Sequence, residues 1–130
     1  MFRHLEKEME KAVRFYAVEF QKAMKWEKLK IARFKVGRML RYRGYAMIVR
    51  KTKKEKAIIF ISDNPRVYTD GIVTEKEFWH IVTHELVHIY MYQNGYSVEE
   101  AFGHGKSFIK VCEEIQKMSR GYFTVKGLMR

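Results

Sequence analysis

Two of the five histidines in this chain of 130 residues stand four positions apart, with a glutamate directly after the first: His84-Glu85-Leu86-Val87-His88. On a helix the two imidazoles share one face, about 6 Å apart along the axis, and can bind a single Zn²⁺ from successive turns. Glu85 falls beside the first of them. A carboxylate there can take a proton from a water that the ion has acidified, so the pattern combines a metal holder with a general base. Composition alone would generate it on the order of 0.02 times in a chain of this kind. The plainer alternative is two half-buried histidines and a surface glutamate. Ile81, Leu86, Val87 and Tyr90 make the surroundings apolar, however, and such polar groups are costly there unless something binds them.

A catalytic zinc usually has three protein ligands and one open position. Sixteen residues after His88 lies His104, flanked by Gly103 and Gly105, where the backbone can turn tightly and present an imidazole to the preceding helix. His104 is the expected third ligand, and Glu99 and Glu100 are the alternatives. Ser97-Val98-Glu99-Glu100 also fits a capping box, which gives Glu100 an ordinary role at a helix start. His80 lies about 12 Å along the helix from His88, too far to share an ion with both, and reads as a partly buried supporting histidine. His4 reads as solvated. Tyr90 and Tyr92 could assist at an oxyanion, although aromatic residues on a helix usually serve packing.

The elements that must position these groups follow from hydrophobic spacing. Phe2, Leu5, Met9, Val13, Tyr16, Phe20 and Met24 recur every three or four residues, which predicts one long amphipathic helix over about residues 2–29. Its other face is a mixed-charge solvated surface. From residue 31 the period drops towards two, and three strands are expected: one around Phe34 and Val36, one over 45–49 and one over 57–61. The polar stretch 50–56 reads as their hairpin connection. Pro65 and Asp70-Gly71 bracket an irregular loop. Thr74 with Glu77 then caps a helix over about 75–93 that stops at Asn94-Gly95. A short turn at 97–100 and a last helix through Phe108, Val111, Cys112, Ile115 and Met118 follow, and residues 122–125 read as an extra strand. The fold class is α+β, in one domain spanning 1–130.

Thr83-His84-Glu85-Leu86-Val87-His88, followed by His104-Gly105-Lys106-Ser107-Phe108, resembles the SprT-like zinc metallopeptidases, relatives of Spartan. The specific match covers about residues 72–112, and the upstream order of one long helix and three strands is similar only loosely. The resemblance implies a zincin-like fold: a three-stranded antiparallel or mixed sheet, the His-Glu-x-x-His helix and a C-terminal helix. It implies Zn²⁺ as cofactor, metal ligands at His84, His88 and His104, a catalytic base at Glu85, and proteolysis of DNA-bound or DNA-crosslinked proteins. Family members often carry a cysteine-rich zinc ribbon, which the lone Cys112 cannot build, so the expected unit is a minimal catalytic one.

Lys plus Arg number 26 against 15 Asp plus Glu, a formal charge of +11, and 47% of residues are hydrophobic. That much apolar content excludes a disordered tail, and the charge points to a polyanion such as single-stranded or protein-crosslinked DNA, or to simple solubility. Arg41, Arg43, Lys51, Lys53 and Lys54, with Tyr42 and Tyr45 among them, are the candidate nucleic-acid contacts. The plainer reading is a solvated hairpin with the tyrosines in the core. One cysteine excludes an intrachain disulfide, and no apolar run reaches the ~18 residues of a membrane span, so a cytoplasmic protein without a membrane partner is expected. Three functions compete: a DNA-associated zinc protease, a zinc peptidase unrelated to DNA, and a non-catalytic nucleic-acid-binding module with a structural metal. For a protease, the strand at 57–61 is the expected edge for pairing with an extended protein or peptide substrate.

Overall fold

The structure, a computed structural model, describes residues 2–130, with side chains from residue 6 onward. Helix α1 spans Phe2–Met24 and buries Val13, Ala17 and Phe20 from its apolar stripe. It ends five residues before the spacing suggests. Lys25 adopts φ 58°, its N–H bonds Lys22 O at 3.1 Å, and the Trp26 N–H reaches back to Gln21 O at 3.0 Å. These two bonds close a Schellman stop with lysine where glycine is usual, so no sequence signal marks it. Trp26 then turns inward, edge-on to Phe20 at 5.3 Å and stacked on Tyr90 at 3.9 Å.

Three strands follow: β1 Arg33–Gly37, β2 Gly44–Lys51 and β3 Lys54–Ser62. Their order is β1-β3-β2, with β1 parallel and β2 antiparallel to β3, so the sheet is mixed. This corrects the expected substrate edge: residues 57–61 lie in the central strand, whose ladder groups are taken on both sides. The edge strands are β1 and β2. Carboxylate and guanidinium groups of α1 cover the β1 edge, with Glu10 accepting from Val36 N at 3.0 Å and Arg14 donating to Ala32 O at 3.2 Å. Phe34, Val36, Ala57, Ile59 and Ile61 point to the buried face. The hairpin is tighter than the charge run implies. Arg50 opposes Glu55 and Lys51 opposes Lys54 within the ladder, leaving Thr52, at φ 59°, and Lys53 as the turn.

Two 3-10 turns, Pro65–Val67 and Thr69–Gly71, lead into α2, Glu75–Gln93. Thr74 caps this helix by accepting from Glu77 N at 3.2 Å, and Tyr96 N closes it on Met91 O at 3.1 Å. The Glu77 carboxylate does not return to the cap. It accepts from Thr69 N and pairs with Arg43 at 3.2 Å. The α2 helix is the hydrophobic axis of the molecule, with Val82, Leu86, Val87, Ile89 and Met91 fully buried. Tyr16 of α1 donates to Thr83 Oγ1 at 2.5 Å and lies against Trp79, which docks the two helices.

The chain closes with α3 Val98–Phe102, α4 Lys106–Met118 and α5 Val125–Leu128. The expected strand at 122–125 is absent because its amides find local acceptors. Phe123 N bonds Ser119 Oγ at 3.0 Å, Val125 N bonds Gln116 Oε1 at 2.8 Å, and Thr124 Oγ1 caps α5 by accepting from Gly127 N at 2.9 Å. None is left for a ladder. No helix is long and apolar enough to cross a membrane among the described residues.

Because Trp26 both terminates α1 and wedges it against α2, Trp26→Ala is expected to cost about 3–5 kcal/mol of stability. Urea unfolding measures it, and a loss below about 1 kcal/mol would contradict this packing role.

Candidate metal centre

His84 and His88 project from adjacent turns of α2, and α3 with the start of α4 brings His104 over them. The Nε2 atoms of His84 and His88 are 3.0 Å apart, and those of His84 and His104 are 3.1 Å apart. One nitrogen from each of the three lies within 4.8 Å of the others. Nitrogens bound to a tetrahedral zinc at 2.0–2.1 Å stand about 3.3 Å from one another, so this spacing is close to that of a three-imidazole site.

The second nitrogen of each α2 histidine shows why the cluster calls for a cation. His84 Nδ1 contacts the Leu128 carbonyl, and His88 Nδ1 contacts the Ala101 carbonyl at 2.6 Å. A carbonyl only accepts, so each Nδ1 carries the proton and each neutral ring turns a bare Nε2 lone pair inward. Burial keeps both rings neutral: it pushes His88 down to about 4 and lowers His84, more than the carbonyls restore. Two lone pairs 3.0 Å apart repel, and a shared cation removes that repulsion. The residues present therefore fit a divalent metal held through three Nε2 atoms, with the carbonyls fixing the tautomers.

Glu85, 5% exposed, is the other charged group of the motif. Burial alone pushes its carboxyl up to about 8, with no charged or hydrogen-bonding neighbour adding to the shift. It lines, with His84, a cavity of about 230 Å³ walled by Arg41, Tyr42, Gly44 and Leu128. A carboxyl that faces a cavity without a protein partner is placed to exchange a proton with a molecule held there.

Glu100, the alternative ligand, is committed elsewhere. Its two oxygens accept from Ser97 Oγ at 3.1 Å and Ser107 Oγ at 2.7 Å, which holds its carboxyl below the usual carboxylate range and ties α3 to α4. Glu99 is exposed and outside the cluster. Gly103 is needed for a different reason than a tight turn: a Cβ there would stand 2.5 Å from Glu99 O. Tyr90 stacks on Trp26, Tyr92 donates to Glu55 at 3.0 Å, and neither lines the cavity. The side chain of His4 lies outside the described residues.

His80 is a clamp. Its Nδ1 donates to Lys76 O at 2.6 Å and its Nε2 accepts from Thr124 N at 3.4 Å. Gly127 lies against the ring, where a Cβ would come within 2.6 Å of Cδ2. This seats α5, and α5 in turn delivers the Leu128 carbonyl to His84. Spacing in the sequence can nominate His80 but not its part in that chain, because the group delivered is a backbone carbonyl.

The basic candidates do not form one patch. Arg43 is engaged, donating to Val67 O at 2.8 Å and pairing with Glu77, whereas Arg41 is exposed at the cavity wall. Lys51, Lys53 and Lys54 are exposed at the hairpin tip, the far end of the eight-residue β2, roughly 25 Å away at ~3.3 Å per residue. Tyr42 and Tyr45, 62% and 37% exposed, lie outside the core.

The model of the SprT-like family matches residues 2–126, nearly the whole chain. No curated protein and no solved structure matches significantly.

Two outcomes are expected from metal analysis of purified variants. His104→Ala loses most of its bound metal while Glu100→Ala retains it, and full retention by His104→Ala would refute the third ligand. Gly127→Ala, which forces the His80 ring and α5 apart, weakens affinity by about 10-fold or more in chelator competition. Unchanged affinity would show that the Leu128 carbonyl is dispensable.

Proposed function

The chain belongs to the SprT-like family, and we propose that it is a zinc-dependent metallopeptidase with a zincin-like catalytic unit spanning the whole 1–130 chain. The observation that carries this reading is the three-imidazole cluster beside a buried carboxyl that opens on a cavity. His84, His88 and His104 would hold the ion through Nε2. When bound, the ion supplies a Lewis acid that polarises a peptide carbonyl and acidifies water.

The remaining work falls to Glu85. Its carboxylate takes the proton of the attacking water and passes it to the leaving nitrogen, so one group serves both halves of the hydrolysis and is restored at the end. Burial of the carboxyl favours the proton-holding state, and a positive charge beside it favours the ionised one; together they place the group where it can do both. The Leu128 and Ala101 carbonyls hold the two rings on α2 in the tautomer that directs Nε2 inward. Arg41, Tyr42 and Gly44 line the same cavity as Glu85, so a substrate held there would lie against them.

The proposed substrates are proteins bound or crosslinked to DNA, a class supported by the family and by the net charge of +11. The proposed setting is the reducing cytoplasm, supported by the single cysteine, Cys112, which is buried with its thiol pushed up to about 12.

Glu85→Gln separates catalysis from a structural metal. The variant is expected to keep its metal and fold while casein hydrolysis falls by at least about 100-fold. Undiminished hydrolysis would refute the role of Glu85.

A further inference from the structure

The β-sheet has a second face that neither helix covers. Alternation along the strands turns Phe34, Val36, Ala57, Ile59 and Ile61 inward against α1 and α2, and their neighbours outward. Across the outward face, register sets Lys35, Phe60 and Tyr45 in one row and Arg33, Ile58 and Met47 in the next. Towards the hairpin the row partners are Lys56 with Val49 and Lys54 with Lys51. No strand residue on this face is acidic. Glu55, the one acid in the strands, belongs to the inward set and binds Tyr92 and Arg50.

We propose that this outer sheet face binds a single strand of nucleic acid. Tyr45 stacks on Phe60 with centroids 4.6 Å apart at 17°, and Tyr42 meets Tyr45 edge-on at 6.5 Å, a small aromatic platform beside Lys35. Unpaired bases stack on such rings, whereas duplex bases are already stacked on each other. Arg33, Lys35, Lys51, Lys54 and Lys56 flank the apolar centre and can neutralise phosphates. Lys51 and Lys54 stand directly opposed, an arrangement that costs stability unless an anion lies between them. A second copy of the chain is a poor occupant, since it would set the same cations against themselves. Three strands of this length offer room for on the order of four nucleotides.

The platform also reaches the candidate active site. Tyr42 belongs both to the aromatic cluster and to the wall of the cavity beside Glu85, with exposed Arg41 next to it. A strand lying on the sheet would lead to the rim of that cavity, so a protein attached to it would be presented there. This deepens the nucleic-acid part of the proposed function, and its binding step is independent of hydrolysis.

Fluorescence anisotropy of the full chain with labelled single-stranded oligothymidine or oligouridine, or a labelled duplex, tests the proposal. Both single strands should bind more tightly than the duplex. The log–log salt slope should be about −2 to −3, as expected when three or four phosphates are neutralised. Tyr45→Ala, and separately the loop variant Tyr42→Ala, should each weaken binding about 5-fold or more. Lys35→Glu/Lys56→Glu should make the slope shallower by about one. Lys11→Glu/Lys22→Glu, an equal charge change on α1, should leave affinity within about threefold. Equal loss from both lysine pairs, duplex binding as tight as single-strand binding, no effect of either tyrosine, or preference for anionic phospholipid vesicles would each overturn it. Because no outcome reads peptide cleavage, failure here is distinguishable from failure of the Glu85 mechanism.

Discussion

Two neutral imidazoles that each donate their Nδ1–H to a backbone carbonyl cannot hydrogen-bond to each other through the nitrogens that remain. His84 and His88 are held in that condition 3.0 Å apart, with the ring of His104 closing over them. His88 is buried, His84 half-buried and His104 exposed, so the cluster opens to solvent on the His104 side. The arrangement is intelligible as a socket for a cation, and most of the specific features elsewhere in the chain serve to keep it in place.

The two carbonyls come from different elements. Ala101 belongs to α3, whose capping serine and Glu100 carboxylate bind it to the start of α4, so the same short segment orients His88 and delivers His104. Leu128 belongs to α5, seated by Thr124 and by the close fit of Gly127 against His80. Arg43 and Glu77 pin the approach to β2 onto the first turn of α2, next to the cavity that Glu85 lines. The three clustered histidines thus depend on contacts as far along the chain as residues 43 and 128.

The candidate site was legible because its spacing has one geometric meaning on a helix, which puts His84, Glu85 and His88 together by the turn, and because His104 stands between two glycines; the structure brings the three histidines into one cluster. Thr74 and Gly95 marked the ends of α2 in the same way. Supporting groups were not legible, since a backbone carbonyl of leucine or alanine leaves no signature in composition. Strand order was equally hidden: apolar runs nominate strands, but the parallel pairing of β1 with β3, which makes β3 central, depends on a crossover set by tertiary packing. Charge misled at the hairpin, where Arg50 and Glu55 form a cross-strand pair within the ladder. At residues 122–125 a strand-like pattern was overridden by Ser119, Gln116 and Thr124, whose side chains satisfy the amides locally.

The central claim concerns three nitrogens and one ion, and X-ray absorption fine structure at the zinc edge of the purified protein addresses it most directly. The account predicts one zinc per chain with three imidazole nitrogens at about 2.0–2.1 Å. A sub-stoichiometric ion, or a first coordination sphere with fewer than three imidazoles, would contradict it.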